Sequence, residues 1–219
     1  MSNIISYINK NRFGALFMLF GIMLQIFSFY YTKGSTISLI SGVAGIISVV
    51  LCAQRKISFY VFAWIQLITY VYLCIGQHLY GEITENIFYA ITMLYGMYAW
   101  NKHKDTQDNT LVHPRTLKPK SLVFTCIIGI LATVGLYEIL YITNDTQPFM
   151  DSITTVPAII AQILLIQCYR EQWYFWLIID VGSIFMWLIA GNYNMMCQFI
   201  FWTINCLYGL KNWKHEGLY

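Results

Sequence analysis

Charged side chains are scarce in this chain of 219 residues: Asp, Glu, Lys and Arg make up 11% of it, whereas apolar types make up 58%. Because soluble domains carry about 25% charged residues, a soluble globular enzyme is not expected. Aromatic residues form 17% of the chain, which argues against disorder. The net charge of +3 is small and gives no reason to expect nucleic acid as a partner.

Catalytic and metal-binding motifs are also missing from the sequence. There is no H-E-x-x-H, nucleophile elbow or Walker motif, and the six cysteines form no C-x-x-C pair. The histidines all fall in loops or the tail, at His78, His103, His113 and His215. We therefore expect no enzyme activity, no metal and no cofactor, and interpret the cysteines as small buried apolar residues.

Long apolar runs are the main feature that is present. Each has 17 to 22 residues, which matches a hydrocarbon core about 30 Å thick at about 1.5 Å of helix per residue. The sequence therefore predicts an all-α polytopic membrane protein with eight transmembrane helices and no sizeable domain outside the lipid bilayer. The predicted spans are 13–31, 36–53, 57–75, 83–100, 121–142, 150–168, 172–190 and 194–210.

Loop charges set the expected orientation of these spans. One face would hold both termini and the loops after the second, fourth and sixth spans. It carries twelve of the 13 Lys and Arg residues, and the other face carries Lys33 alone. By the positive-inside rule, both termini are predicted to be cytoplasmic. The polar stretch 101–120 would be a cytoplasmic linker whose basic residues lie near anionic lipid headgroups.

The chain also repeats itself. A Y-G-x-x-x-W sequence ends at Trp100 and again at Trp213, an offset of 113. Further upstream Arg55 matches Arg170 at an offset of 115, so a deletion of two residues is expected in the last outer loop. Each copy has four spans, an even number, and the two copies would therefore be parallel repeats. Transporters such as the SWEET proteins are built in this way, with the substrate between the halves.

Several polar residues are predicted to lie near the bilayer midplane, where they either join helices or face a cavity. Asp180 is the sharpest case, because helical spacing places it on one face of the seventh span with tryptophans. A carboxylate there could bind a cation, hydrogen-bond hydroxyls, carry a proton or bond a neighbouring helix. The midplane residues are Gln25, Gln66, Thr92, Gln162, Asp180 and Asn205. The residues that share one face of the seventh span, here called its stripe, are Trp173, Trp176, Asp180, Ser183 and Trp187.

A second stripe of polar and aromatic residues lies along one face of the eighth span, and a similar stripe lies along the fourth span. Flat rings beside hydrogen-bonding groups suit an aromatic, polar and preferably cationic small molecule. The substrate-binding candidates on these two spans are Gln198, Trp202 and Asn205, with Asn86, Tyr89 and Thr92, and Gln66 on the third span is a further candidate. Pro157 and Gly42 match at the offset of 115, and we predict a hinge at this pair because paired helix interruptions can mark one.

Three segments together resemble the PnuC-type vitamin transporters. They are WYFWLIIDVGS at 173–183, GQHLYGEITENIFYAITMLYGMYAW at 76–100, and WTINCLYGLKNWKHE at 202–216. The resemblance covers most of the second to eighth spans. The W-x-x-W alone is weak evidence, and its combination with the duplicated Y-G-x-x-x-W ends is more specific.

The resemblance implies a SWEET-like 3+1+3 core with an extra N-terminal helix. The parts would be an N-terminal segment at 1–35, a first three-helix bundle at 36–100, a linker and connecting helix at 101–149, and a second bundle at 150–219. By the motif, Trp173 and Trp176 map onto the family's ring-binding pair. Asp180 would position a helix or the ligand, since family members need no ion coupling.

The resemblance also implies the activity. Family members carry nicotinamide riboside, thiamine or riboflavin by facilitated diffusion, and a cytoplasmic kinase then traps the vitamin without needing to contact the carrier. We predict a nicotinamide riboside uniporter of the bacterial inner membrane, with a thiamine or riboflavin transporter as the alternative. A membrane-embedded enzyme acting on a lipid and a subunit of a larger complex are further alternatives. Small residues such as Gly14 and Gly21 would suit packing within one chain or in a homo-oligomer.

Overall fold

The structure is a computed structural model, and the secondary-structure elements of the part it describes are helices, apart from isolated bridges in the linker. It describes the backbone of residues 2–76, 80–143, 148–189, 191 and 193–214, and their side chains except those of 2–11, 80–82, 84, 187, 193 and 194. His78, His215 and the side chain of Trp187 lie outside the described residues. The described helices are α1 (Ser2–Thr32), α2 (Thr36–Ala53), α3 (Phe59–Gly76), α4 (Tyr80–Lys102), α5 (Pro119–Ile142), α6 (Pro148–Ile166), α7 (Gln172–Ile189) and α8 (Tyr193–Asn212).

Local sequence explains where several helices begin. The Ser35 hydroxyl accepts a hydrogen bond from the Ser38 backbone at 3.1 Å and caps α2, as N-cap serines do. Pro119 begins α5, where its missing N–H leaves no intrahelical bond unmade. Each of the eight predicted spans corresponds to one of these helices, so the all-α prediction is confirmed.

Five helices are long and apolar enough to cross a membrane: α1 from Arg12 onward, α2, α3, α5 and α6. Their large apolar side chains are widely exposed, for example Leu16, Ile68 and Ile130. On α5 only Gly129 is buried among the described residues. Such surfaces suit lipid rather than water. The remaining helices α4, α7 and α8 contain the predicted polar stripes.

The chain divides into two compact units, Met1–Val112 (unit 1) and His113–Tyr219 (unit 2). In unit 1 the helices α1 to α4 pack in sequence, and in unit 2 the helices α5 to α8 do the same. The predicted linker 101–120 is divided between them. Its Val112 donates to the Arg55 carbonyl at 2.9 Å in unit 1, and its Arg115 donates through the backbone to the Cys168 carbonyl at 2.7 Å in unit 2.

The helix ends around α3 and α7 repeat at an interval of 113 residues. Helix α3 runs from 59 to 76 and α7 from 172 to 189, and α4 and α8 begin at 80 and 193. The turns before α3 and α7 each hold one residue with positive φ, Arg55 at 65° and Cys168 at 63°. Each turn also makes the same backbone hydrogen bonds, 113 residues apart.

This register corrects the sequence-based match. The turns pair Arg55 with Cys168 rather than with Arg170, so the expected offset of 115 and its two-residue deletion are wrong. Because α2 and α6 both lead into these turns, ending at 53 and 166, the same register extends along them. Pro157 then corresponds to Ala44 and Gly42 to Thr155, so the two predicted hinge residues are not at equivalent positions.

Candidate functional site

The interface between α7 and α8 in unit 2 holds several predicted site residues. Asp180 is 4% exposed and Asn205 is 3% exposed. The Cys206 thiol donates to Oδ2 of Asp180 at 3.1 Å and joins the two helices. A buried carboxylate therefore lies in the contact between α7 and α8, and α8 also carries the buried amide of Asn205, one residue before Cys206.

Trp173 lies at the cytoplasmic end predicted for α7 and packs tightly on α8. A Cβ atom added at Gly209 would come within 2.5 Å of the Trp173 indole, so only glycine allows this approach. The Trp213 ring meets the Trp173 ring edge to face, with centroids 6.0 Å apart. In unit 1, Tyr60 meets Trp100 in the same manner at 5.4 Å, again 113 residues earlier.

Trp176 has a different environment from Trp173. It is half-buried and packs against a small core of Ala161, Leu164 and Phe175. The two rings of the W-x-x-W motif thus have different neighbours: Trp173 contacts α8, and Trp176 contacts residues of α6 and α7. Of the two, Trp176 is the ring with the greater accessible surface, since Trp173 is 4% exposed.

Two buried amides near this region were not predicted from the sequence. Gln172 is fully buried and Asn212 is 3% exposed, and neither amide has a hydrogen-bond partner in the described part of the chain. Their counterparts in the register of 113 are Phe59 and Ala99. A comparison of the repeats in this register identifies both as polar replacements of apolar residues. The offset of 115 concealed the match of Gln172, whereas Asn212 lies within the Y-G-x-x-x-W match at 113.

In unit 1, two predicted midplane glutamines pack over glycines of α2. The Gln66 Cδ atom lies 3.3 Å from where a Cβ of Gly45 would be, and the Gln25 side chain covers Gly42 in the same way. The Gln66 carbonyl also accepts a hydrogen bond from Thr69 at 3.0 Å. These glycines therefore provide room for polar side chains of α1 and α3.

Two residues of the predicted stripe on α4 make side-chain hydrogen bonds within that helix. The Tyr89 hydroxyl donates to Oε1 of Glu85 at 2.5 Å, and the Thr92 hydroxyl donates to the Phe88 carbonyl at 2.9 Å. Asn86 is buried. The hydroxyls of Tyr89 and Thr92 are thus both engaged by groups of α4 itself.

The remaining candidates of unit 2 lie on α6 and α8. Gln198 and Trp202 are half-buried, and the Trp202 ring meets Phe199 edge to face at 5.0 Å. Pro157 lies inside α6, where it removes one backbone hydrogen bond. The structure thus places Trp173 and Asp180 in contact with α8, buries Asn205 on α8, and leaves Gln198 and Trp202 half-exposed on α8.

The turn between α6 and α7 is fixed by the linker. The Arg115 guanidinium lies 4.4 Å from the centre of the Tyr169 ring and donates to the Tyr169 hydroxyl at 2.7 Å. Burial raises the pKa of the nearby Cys168 thiol to about 12, so this cysteine is not a reactive thiolate. The described residues contain no group of three His, Cys, Asp or Glu side chains that could hold a metal ion.

Comparison with known proteins gives consistent matches over most of the chain. The profile of a family described as nicotinamide mononucleotide transporter matches residues 35–215. A nicotinamide riboside transporter PnuC from Haemophilus influenzae is 30% identical over 194 residues, with 88% of this chain and 85% of that protein covered. The corresponding protein from Neisseria mucosa is 28% identical over 221 residues, covering 94% of this chain and 84% of the relative.

A solved structure agrees with these matches. The crystal structure of the vitamin B3 transporter PnuC is similar with a TM-score of 0.76 at 27% identity, and covers 92% of this chain and 90% of that chain. These findings support a polytopic membrane fold and a transporter rather than an enzyme. Since the family profile spans residues 35–215, the chain belongs to the nicotinamide mononucleotide transporter family.

Proposed function

We propose that the protein transports nicotinamide riboside across the bacterial inner membrane by facilitated diffusion. The relatives from Neisseria mucosa, Haemophilus influenzae and Escherichia coli are each named nicotinamide riboside transporter. The observation that carries the proposal is the interface of α7 and α8, which joins tryptophan rings to a buried carboxylate. A cationic aromatic ring and a ribose would find matching groups there.

The roles we propose in unit 2 follow from burial and chemistry. Trp176 offers the more accessible ring and would contact the nicotinamide, whereas Trp173 packs against Gly209. Asn205 and Gln198 would bond the carboxamide or the ribose, and Trp202 would limit the space around them. In unit 1, Gln66, Asn86, Tyr89 and Thr92 stay substrate-binding predictions from the sequence pattern.

Uniport is the simplest energetic scheme for this chain. The sequence contains no nucleotide-binding motif to couple transport to ATP hydrolysis, and phosphorylation of the vitamin by a cytoplasmic kinase would keep the free substrate concentration low inside the cell. The kinase needs no contact with the carrier in this scheme, and the oligomeric state does not enter it.

Uptake into liposomes tests the proposal. Purified protein is reconstituted, and entry of labelled nicotinamide riboside is compared with entry into protein-free liposomes. We expect saturable uptake that unlabelled nicotinamide riboside abolishes and that equal concentrations of thiamine or riboflavin reduce much less. Uptake that thiamine or riboflavin blocks more strongly would assign the carrier to that vitamin instead, and absence of uptake for all three would refute the proposal.

A further inference from the structure

The carboxylate of Asp180 has no counter-charge on the helices that pack around it. It is 4% exposed, and Cys206 donates to it at 3.1 Å. Among the residues of the described helices α6, α7 and α8, the only basic one is Lys211, in the last turn of α8. Lys211 follows Cys206 by five residues, which places it about 7.5 Å further along the helix axis.

A thiol is a poor substitute for a cation. It is a weak hydrogen-bond donor, and an ionised carboxylate is costly to bury unless an opposite charge or strong donors offset the lost hydration. A positive charge that arrives with the substrate would supply this missing partner and would bind more tightly as a result.

Unit 1 shows that packing does not require the carboxylate. In the register of 113, Asp180 corresponds to Leu67 and Cys206 to Met93, so the equivalent positions of α3 and α4 carry apolar side chains. The two helix pairs begin at equivalent residues and repeat the edge-to-face contact of Tyr60 with Trp100 and of Trp173 with Trp213. A purely structural role would be filled equally well by an apolar pair.

The indole ring of Trp176 is the aromatic group next to Asp180 on α7. Trp176 precedes Asp180 by four residues and is half-buried, and residues four apart are neighbours on one helix face. A cation between the face of an indole and a carboxylate is attracted by both. Nicotinamide riboside carries its positive charge on the ring nitrogen, so a ring against Trp176 would bring that charge toward Asp180.

We infer that Asp180 is the counter-ion of the substrate ring and makes the transporter select cationic over neutral aromatic vitamins. The inference rests on the proposed function, because it assigns one residue of that site a role in recognising charge. The matched ligands are nicotinamide riboside and benzamide riboside, which keeps the aromatic ring, the amide and the sugar but replaces the charged nitrogen with carbon.

Calorimetry on the purified full chain measures the affinity of both ligands for the wild type, Asp180→Asn and Asp180→Ser. We expect the wild type to prefer the cationic ligand by about tenfold or more, and the two variants to bring the ratio within about threefold. Glu138→Gln is the matched control, because it removes one negative charge from an exposed position on α5 and should leave the preference unchanged.

Each result decides between the explanations. Equal affinities in the wild type, or a preference that the Asp180 variants keep, would overturn the inference while leaving nicotinamide riboside transport intact. Wild-type protein that binds neither ligand would refute the proposed function itself. Variants that both fail to give monodisperse protein would contradict the argument from Leu67 and Met93, and would indicate a structural carboxylate.

Discussion

At the scale of single residues, the contact of Trp173 with Gly209 is the tightest feature of the candidate site. The indole occupies the space that any Cβ at position 209 would need, and its other neighbour is the fully buried Trp213. The ring therefore has little freedom to move aside. The absence of a Cβ atom at Gly209 on α8 thus fixes the position of the Trp173 ring on α7.

Gly209→Ala tests this contact. We expect a loss of about 1–3 kcal/mol in stability, because overpacking a closed contact forces side chains or backbone to shift. Gly135→Ala on α5 is the matched control: no atom lies within 4 Å of its Cβ position, so the better helix propensity of alanine should leave the protein equally or more stable. Thermal unfolding in detergent measures both, and equal melting temperatures would contradict the close approach.

Trp176 allows a second test at the same scale. Trp176→Ala should weaken nicotinamide riboside binding by about 30-fold or more, the effect of removing an aromatic residue that dominates a binding site. Trp64→Ala in α3 is the control, since Trp64 is also half-buried but its indole N–H points to the Met97 sulfur at 3.4 Å. Calorimetry reports both affinities, and unchanged binding by Trp176→Ala would remove this ring from the site.

At the scale of elements, α6 contains the one proline that interrupts a described helix. Pro157 cannot donate to the carbonyl four residues earlier, which permits a bend at that point. Its counterpart Ala44 in α2 has no such effect, so only unit 2 has this interruption. A hinge at Pro157 would therefore belong to α6 alone and would not form a matched pair with Gly42.

Pro157→Ala tests the hinge. The substitution restores a helical hydrogen bond, and we expect the rate of liposome uptake to fall several-fold while the affinity for nicotinamide riboside changes little. Measuring binding and uptake on the same preparation separates the two effects. An unchanged uptake rate would show that bending at Pro157 is not part of transport.

The sequence predicts the elements well and their correspondence less well. Hydropathy places all eight helices, because a run of 17 to 22 apolar residues is a strong constraint in a membrane. The predicted register between the repeats depends on a few identical residues. The match of Arg55 with Arg170 is a coincidence, because the structural counterpart of Arg55 is Cys168, two positions earlier. The backbone hydrogen bonds in the turns identify the register of 113, since they do not depend on side-chain identity.

The candidate site was predictable in part for a similar reason. Their depth in the spans indicated that Asp180 and Asn205 would face a cavity or another helix, because polar residues in apolar helices seldom face lipid, and both are buried. Helical periodicity could not separate the surroundings of Trp173 from those of Trp176, which depend on how α6 and α8 pack. It also missed Gln172 and Asn212, because they lie at helix ends where polar residues are ordinary.

At the scale of the whole molecule, the loop charges predict a topology that experiment can check. A reporter enzyme active only in the cytoplasm, fused after Tyr219, should be active, and one active only outside should be silent when fused there. Fusion at Lys33, the lone basic residue of the opposite face, is the control and should reverse both results. Activity of the outside reporter at the C-terminus would contradict the orientation predicted by the positive-inside rule.

Uniport makes a further prediction for the intact carrier, because a protein without energy coupling can only bring its substrate to electrochemical equilibrium. With the membrane potential held at zero, labelled nicotinamide riboside, which is a cation, should enter liposomes until the free concentrations inside and outside are equal, and this plateau should not respond to imposed proton or sodium gradients. Enclosing a nicotinamide riboside kinase with ATP should raise the total label well above that plateau, since the phosphorylated product leaves the equilibrium. Accumulation at zero membrane potential that needs no kinase and depends on an ion gradient would instead require a coupled carrier, and the buried carboxylate of Asp180 would then be the first residue to test as the coupling site.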